Sequence, residues 1–262
     1  MSLAPPVVVA GAIFAVGLAL KQRRRLRQRP SGHEVMTVVA GRALFSDRLS
    51  MGLLVLTAVS GMVDAVSFLE LGHTFTANMT GNVVFLAFAA AGAPDISVAR
   101  SITSLAAFLS GAALGGYFGR GVAGPLRRRW LLLSATCEAA LLVAAAIAAI
   151  AISGDSTALV DRQYAVIALT ALAMGLRNAT VQQLAVPGLT TTTVLTMTMT
   201  GLAADFTLAG GSHARMTRRL GSIASLFAGA AMGAVLLRFG LGVPLIVGAV
   251  CVAFAAIGYA DA

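Results

Sequence analysis

Charge is scarce in this chain. Only 11% of its 262 residues are Asp, Glu, Lys or Arg, less than half of the roughly 25% found in a soluble domain. Acid is scarcer than base, 10 residues against 19, which leaves a formal net charge of +9. In a soluble protein that balance would point to nucleic acid. Here the arginines sit in short clusters between apolar runs, at Lys21 to Arg29, Arg120 to Arg129 and Arg215 to Arg219, with no aromatic platform or recognition motif beside them. They read as topology signals on a cytoplasmic face next to anionic lipid, and no nucleic-acid partner is expected. The two cysteines, Cys137 and Cys251, lie in apolar segments without metal-ligand spacing, so neither a disulfide nor a redox or metal site is expected. The three histidines, His33, His73 and His213, are scattered near segment ends and make no ligand cluster. No Ser-His pair, histidine pair or G-x-S-x-G elbow lies in the apolar segments. An enzyme is therefore not expected, and no cofactor is implied.

What the chain has in abundance is apolar surface, with 58% hydrophobic residues and a mean hydropathy of +0.88. An all-α, polytopic transmembrane bundle follows. Residues 1–48 read as an N-terminal extension, with a marginal apolar segment at 4–20 and a basic stretch at 21–29. A secretory signal puts its basic residues before the apolar core, the opposite order. Residues 49–262 form the membrane domain. Eight apolar segments can be drawn there, at 50–70, 74–92, 101–119, 130–152, 163–186, 189–208, 220–238 and 241–260, most with the ~20 residues of a spanning helix.

The domain is written twice, with repeat one at about 50–152 and repeat two at about 163–260. Gly61-x-x-Asp64-Ala followed by Asn78-Met-Thr-Gly-Asn82 has its counterpart in Gly175-x-x-Asn178-Ala followed by Thr196-Met-Thr-Met-Thr-Gly201. Phe108 to Arg120 aligns without a gap on Leu226 to Arg238, an offset of 118, which also lays Met79-Thr80 on Met197-Thr198. Eight full spans would put the arginines of 120–129 outside, against the positive-inside tendency. If one of the first two segments in each repeat is re-entrant or broken, 120–129 and 209–219 fall inside with 21–48, and 93–100 and 153–162 fall outside. Six full crossings in an inverted three-plus-three arrangement are the preferred expectation, and eight spans in two parallel repeats the alternative.

Ionisable residues inside apolar segments are Asp64, Glu70, Glu138, Arg177 and Asp205. Each costs about 2.5–3.5 kcal/mol at the bilayer centre, so each needs a partner, water or the bundle interior. Asp64 and Arg177, with Asn178 beside it, occupy equivalent places in the two copies and are expected to face one another near the midplane. That pair is either a solute or ion site, with Asp64 binding a proton or cation, or a structural lock between repeats. Asn78, Thr80 and Asn82 are spaced two apart and cannot share a helix face, which suits a locally unwound stretch around Gly81. Thr192, Thr196 and Thr200 recur every four residues, a spacing that satisfies hydroxyls on the preceding turn, and Pro187-Gly188 breaks the helix before them. Gly111, Gly115 and Gly119, echoed by Gly229 and Gly233, are small-residue ridges for close helix contact between repeats or protomers.

On Ser60 to Asn82 (SGMVDAVSFLELGHTFTANMTGN) and Met174 to Asp205 (MGLRNATVQQLAVPGLTTTTVLTMTMTGLAAD), the chain resembles the YoaK family, a group of bacterial integral membrane proteins classed as a domain of unknown function. The resemblance covers about residues 50–260 and implies an inner-membrane protein. Carried over residue by residue, its hallmark polar positions fall on Asp64, Asn78, Thr80, Gly81, Asn82, Arg177, Asn178 and Asp205. Paired membrane repeats with polar centres are how many secondary transporters are built. The expected function is a small-solute transporter or permease, against a non-transporting scaffold or lipid-interacting protein. Its expected partners are the bilayer, an unidentified small solute and, because the chain is short, a second copy of itself.

Overall fold

The computed structural model describes residues 32–94, 96–119, 125–150, 156–184, 196, 199–200 and 213–260, with side chains described over 50–94, 96–119, 128–150, 160–183, 196, 199–200 and 219–256. It divides into two units. Met1–Ser46 is one, of which only the start of a helix at Gly32 is described; Asp47–Ala262 is the other and holds everything that follows.

Every described element longer than one turn is an α-helix, as apolar segments in lipid require, because a helix satisfies its own backbone. In chain order they are α1 (Gly32–Glu70), α2 (Met79–Ala90), α3 (Val98–Phe118), α4 (Pro125–Ile150), α5 (Ser156–Leu184), α6 (His213–Leu236), a 3-10 turn at Leu237–Phe239, and α7 (Gly242–Ala260). Five are long and apolar enough to cross a membrane, over Ser50–Glu70, Val98–Phe118, Arg128–Ile150, Val160–Gln183 and Arg219–Phe239. With only 12 residues, α2 extends about 18 Å at 1.5 Å per residue, too short for a ~30 Å hydrocarbon core. The apolar segments 189–208 and the loops 21–48 (apart from the helical backbone from Gly32) and 209–219 fall largely outside the described residues, as do Asp205, Thr192 and Pro187-Gly188.

The core lies between α1, α4, α5 and α7, where Leu56, Val59, Val63, Leu142, Ile167, Leu245 and Val252 are buried. Contacts along these helices give their directions. Glu138 of α4 meets Arg177 of α5, while Leu131 and Val181 border one cavity, so α4 and α5 are antiparallel. On α7, Gly242 lies against Ala146 and Ile150 and Gly248 against Leu142 and Val59, so α7 descends where α4 ascends.

Two helix pairs approach closely enough that glycine is required. On α3, a Cβ at Gly111 would run into the Leu172 carbonyl of α5, and one at Gly175 into the Phe108 carbonyl of α3; Gly115 sits against Leu176 and Ala179. On α1, a Cβ at Gly61 would strike the Leu226 carbonyl of α6, and one at Gly229 the Ala58 carbonyl of α1; Gly233 sits against Met62 and Ala65. Each pair is parallel, and the contacts correspond position for position. Small residues admit this approach, and van der Waals contact between backbones then supplies the attraction that lipid does not. Gly119 differs, since its neighbour is the flexible end of Gln183.

Candidate functional site

The chain leaves α1 through a Schellman-type end, with His73 N–H donating to the Phe68 carbonyl at 3.2 Å and Gly72 at φ +84° in the position that favours glycine. His73 follows at φ +57°, a left-handed conformation that is uncommon without glycine. Residues 74–78 then run back along α1 in irregular conformation. They are nevertheless buried, with Thr74, Thr76 and Ala77 essentially inaccessible. Buried backbone outside a helix needs partners, and three side chains supply them.

Asp64 Oδ1 accepts from the N–H groups of Thr76 at 3.0 Å and Ala77 at 2.7 Å. Asn82, fully buried on α2, accepts from Phe75 N–H at 2.9 Å and donates Nδ2–H to the Phe75 carbonyl and, at 3.1 Å, to Ser104 Oγ. Ser104 also donates to the Phe75 carbonyl at 2.6 Å. Because Asn82 reaches back seven residues to Phe75, α2 must reverse direction relative to 74–78. Phe68, Phe75 and Phe85 stack over this turn, with ring centroids 5.0–6.1 Å apart. Gly72 packs on the Arg100 guanidinium at the start of α3, and Arg100 donates to Gln163 of α5 at 3.0 Å. The ends of α1, α2 and the starts of α3 and α5 therefore share one face. There Gly72, His73, Ile96, Ser97 and Arg100 line an open pocket of about 460 Å3.

A second polar centre lies towards the other face. Arg177 is only 4% exposed and its Nη1 stands 3.2 Å from Glu138 Oε1. The guanidinium also donates to the Leu56 carbonyl at 2.7 Å and to Ser60 Oγ of α1, and touches Met174 Sδ.

This corrects the expected Asp64–Arg177 pair. Arg177 exerts a Coulombic influence on Asp64, but its direct partners are Glu138, Leu56 and Ser60. The reason is direction: α1 and α5 are antiparallel, so Asp64 lies six residues, about 9 Å, from one end of its span, and Arg177 six residues from the end of its own at the opposite face. The unwound stretch is also displaced from its expected position. It precedes Asn78 instead of surrounding Gly81, because α2 begins at Met79 and Asn82 stabilises the irregular backbone from within the helix. Thr80 is exposed and Asn178 buried; the structure gathers neither with Asp64. Thr196 and Thr200 are exposed helical residues.

Sequence reasoning left Ser60, Glu138 and Ser104 out of the site. Ser104 carried a signal, since the 118-residue offset pairs it with Ser222, and both are buried. Glu138 carried only its being an acid in an apolar run.

The polar turn and the motifs around it have relatives. The profile of the family described as "Protein of unknown function (DUF1275)" matches residues 52–258. The chain belongs to this family. It is 34% identical over 155 residues to the UPF0700 transmembrane protein YoaK of Bacillus subtilis (strain 168), a stretch covering 59% of this chain and 65% of that relative. The match thus spans a little under two thirds of the relative's length. No solved structure matches. Family membership and the apolar helices together make this a multi-pass membrane protein, in agreement with the resemblance carried by Ser60 to Asn82 and Met174 to Asp205.

Proposed function

We propose that this protein is a non-catalytic secondary transporter or permease for a small solute, with its binding site at the re-entrant segment 71–82. The observation that carries the reading is the buried irregular backbone at 74–78, which interrupts the helices at membrane depth and is held against α1 and α2 by Asp64 and Asn82. Irregular backbone at membrane depth is tolerated where it is enclosed by protein or lines a cavity, and transporters place substrate sites at such interruptions.

The reading includes a six-crossing, inverted three-plus-three topology. The direct contacts make α1, α4 and α6 run one way and α3, α5 and α7 the other. The chain therefore leaves α1 and enters α3 at one face, and leaves α5 and enters α6 at the opposite face. The matched contacts of Gly61 with Leu226 and Gly175 with Phe108 support a pseudo-twofold relation between repeats. In that arrangement Arg128 and Arg129 at the start of α4, both exposed, share the cytoplasmic side with Arg215 to Arg219, in the bacterial inner membrane.

One observation favours a second reading, a non-transporting scaffold: Arg177 and Glu138 are buried, closely paired and bonded to α1, as a structural lock would be. A screen of small solutes for thermal stabilisation of the purified protein separates the two. A ligand that binds only the folded form raises its melting temperature by mass action, and Asp64→Asn should abolish that rise for a transported solute. Cysteines placed at 95 and 155 should label from outside and those at 128 and 215 from inside, in a background lacking Cys137 and Cys251; 128 and 155 labelling from one side defeats the topology.

A further inference from the structure

Glu138 is 3% exposed, and its Oε1, though close to Arg177, makes no hydrogen bond. A buried carboxylate oxygen left this way is costly, and Glu138 borders a cavity of about 20 Å3 shared with Leu56, Leu131, Ser134, Arg177 and Thr180, room for about one water. The cavity extends from Glu138 along α4 through Ser134 to Leu131, towards the end that carries Arg128 and Arg129. One turn beyond Ser134 on the same stripe, the indole Nε1–H of Trp130 is buried without an acceptor. Residues 130, 134 and 138 recur every four positions and so lie above one another on one helix face.

Arg177 does not depend on Glu138 alone, because the Leu56 carbonyl and Ser60 Oγ accept from it as well. Among the described residues the charged group facing Glu138 is Arg177, from α5. From α1 come Leu56 and Ser60, which bond Arg177, with Asp64 farther along; α7 contributes the apolar Leu245, Ala249 and Val252 to the shared core.

We propose that Glu138 is a proton-binding site, loaded through a single water in this cavity from the face bearing Arg128 and Arg129. A hydronium in the cavity passes one proton to the Glu138 carboxylate, leaving water and a neutral carboxylic acid, and the pair changes from net zero to +1. No redox change is involved. The site deepens the transport reading, on which it rests only in naming the proton as the coupling ion.

The test is an infrared pH titration of the purified full-length protein, from about pH 9 to about pH 5, a range that spans carboxylates raised by burial. The wild type should develop a protonated-carboxyl C=O band on acidification, and Glu138→Gln should lose that band. Identical difference spectra for the two overturn the proposal. Should Glu138→Gln fail to fold, Ser134→Val, which crowds the cavity, decides: a shifted or slowed band supports the site, and an unchanged one overturns it. If the Glu138 band titrates while no solute stabilises the protein, the transport reading fails and the proton site stands. A solute that stabilises or is transported while Glu138 stays ionised gives the converse result.

Discussion

Asp64 and Glu138 are both acids set into apolar helices, yet the fold answers them differently. Asp64 is half-buried and capped by backbone: two N–H groups from the chain that folds back beside it. Glu138 is nearly inaccessible and answered by the charge of one side chain, with no hydrogen bond to the oxygen that faces it and a cavity alongside. The first acid belongs to a local structure, a turn within 13 residues of sequence. The second belongs to a long-range one, joining α4 to α5 and through Arg177 to α1. Charge in a membrane helix is thus accommodated either by folding the chain onto it or by bringing a counter-charge from elsewhere, and the two solutions should fail differently.

The largest effect is expected at the side-chain pair. Arg177→Met leaves Glu138 buried without a counter-charge, a loss of about 3–5 kcal/mol, visible as reduced expression and melting temperature in detergent. Adding Glu138→Leu should restore stability, since apolar replacement of both partners of a buried pair is often neutral or better. Adding Asp64→Asn instead should restore nothing. If it rescues Arg177→Met, the two polar centres are one and the comparison collapses.

Next come the helix contacts that hold the two regions in register. Gly111→Leu or Gly229→Leu drives a side chain into a facing carbonyl and should cost 1–3 kcal/mol or more, roughly the range for overpacking. Gly116, which faces open space, should accept leucine without loss. Equal melting temperatures for the Gly111 and Gly116 variants would remove the close-contact ridge.

Asp64→Ala should be smaller and local. It strands the N–H groups of Thr76 and Ala77, a cost of about 1–3 kcal/mol, and should speed amide exchange over 74–78 while leaving exchange around Arg177 unchanged. A global acceleration would show that Asp64 is as long-range a lock as Glu138. Ser104→Ala is the mildest, about 1 kcal/mol, because Asn82 still donates to the Phe75 carbonyl.

The helical class and most helix positions were legible in hydropathy alone, because lipid leaves a backbone few alternatives. The ridge Gly111-x-x-x-Gly115, matched at Gly229 and Gly233, was legible as a close-contact face because only small residues repeat there. The polarity of Asp64 and Asn82 was also written locally. Tertiary structure alone decided which polar group meets which. Periodicity assigns a residue to a segment and a face, but depth depends on the direction in which each helix is traversed, and one reversal placed Arg177 beside Glu138 and away from Asp64. It likewise decided that Asn82 should hold the backbone of Phe75, since a carboxamide can serve any buried N–H and C=O within reach, and reach exists only once the chain has turned back.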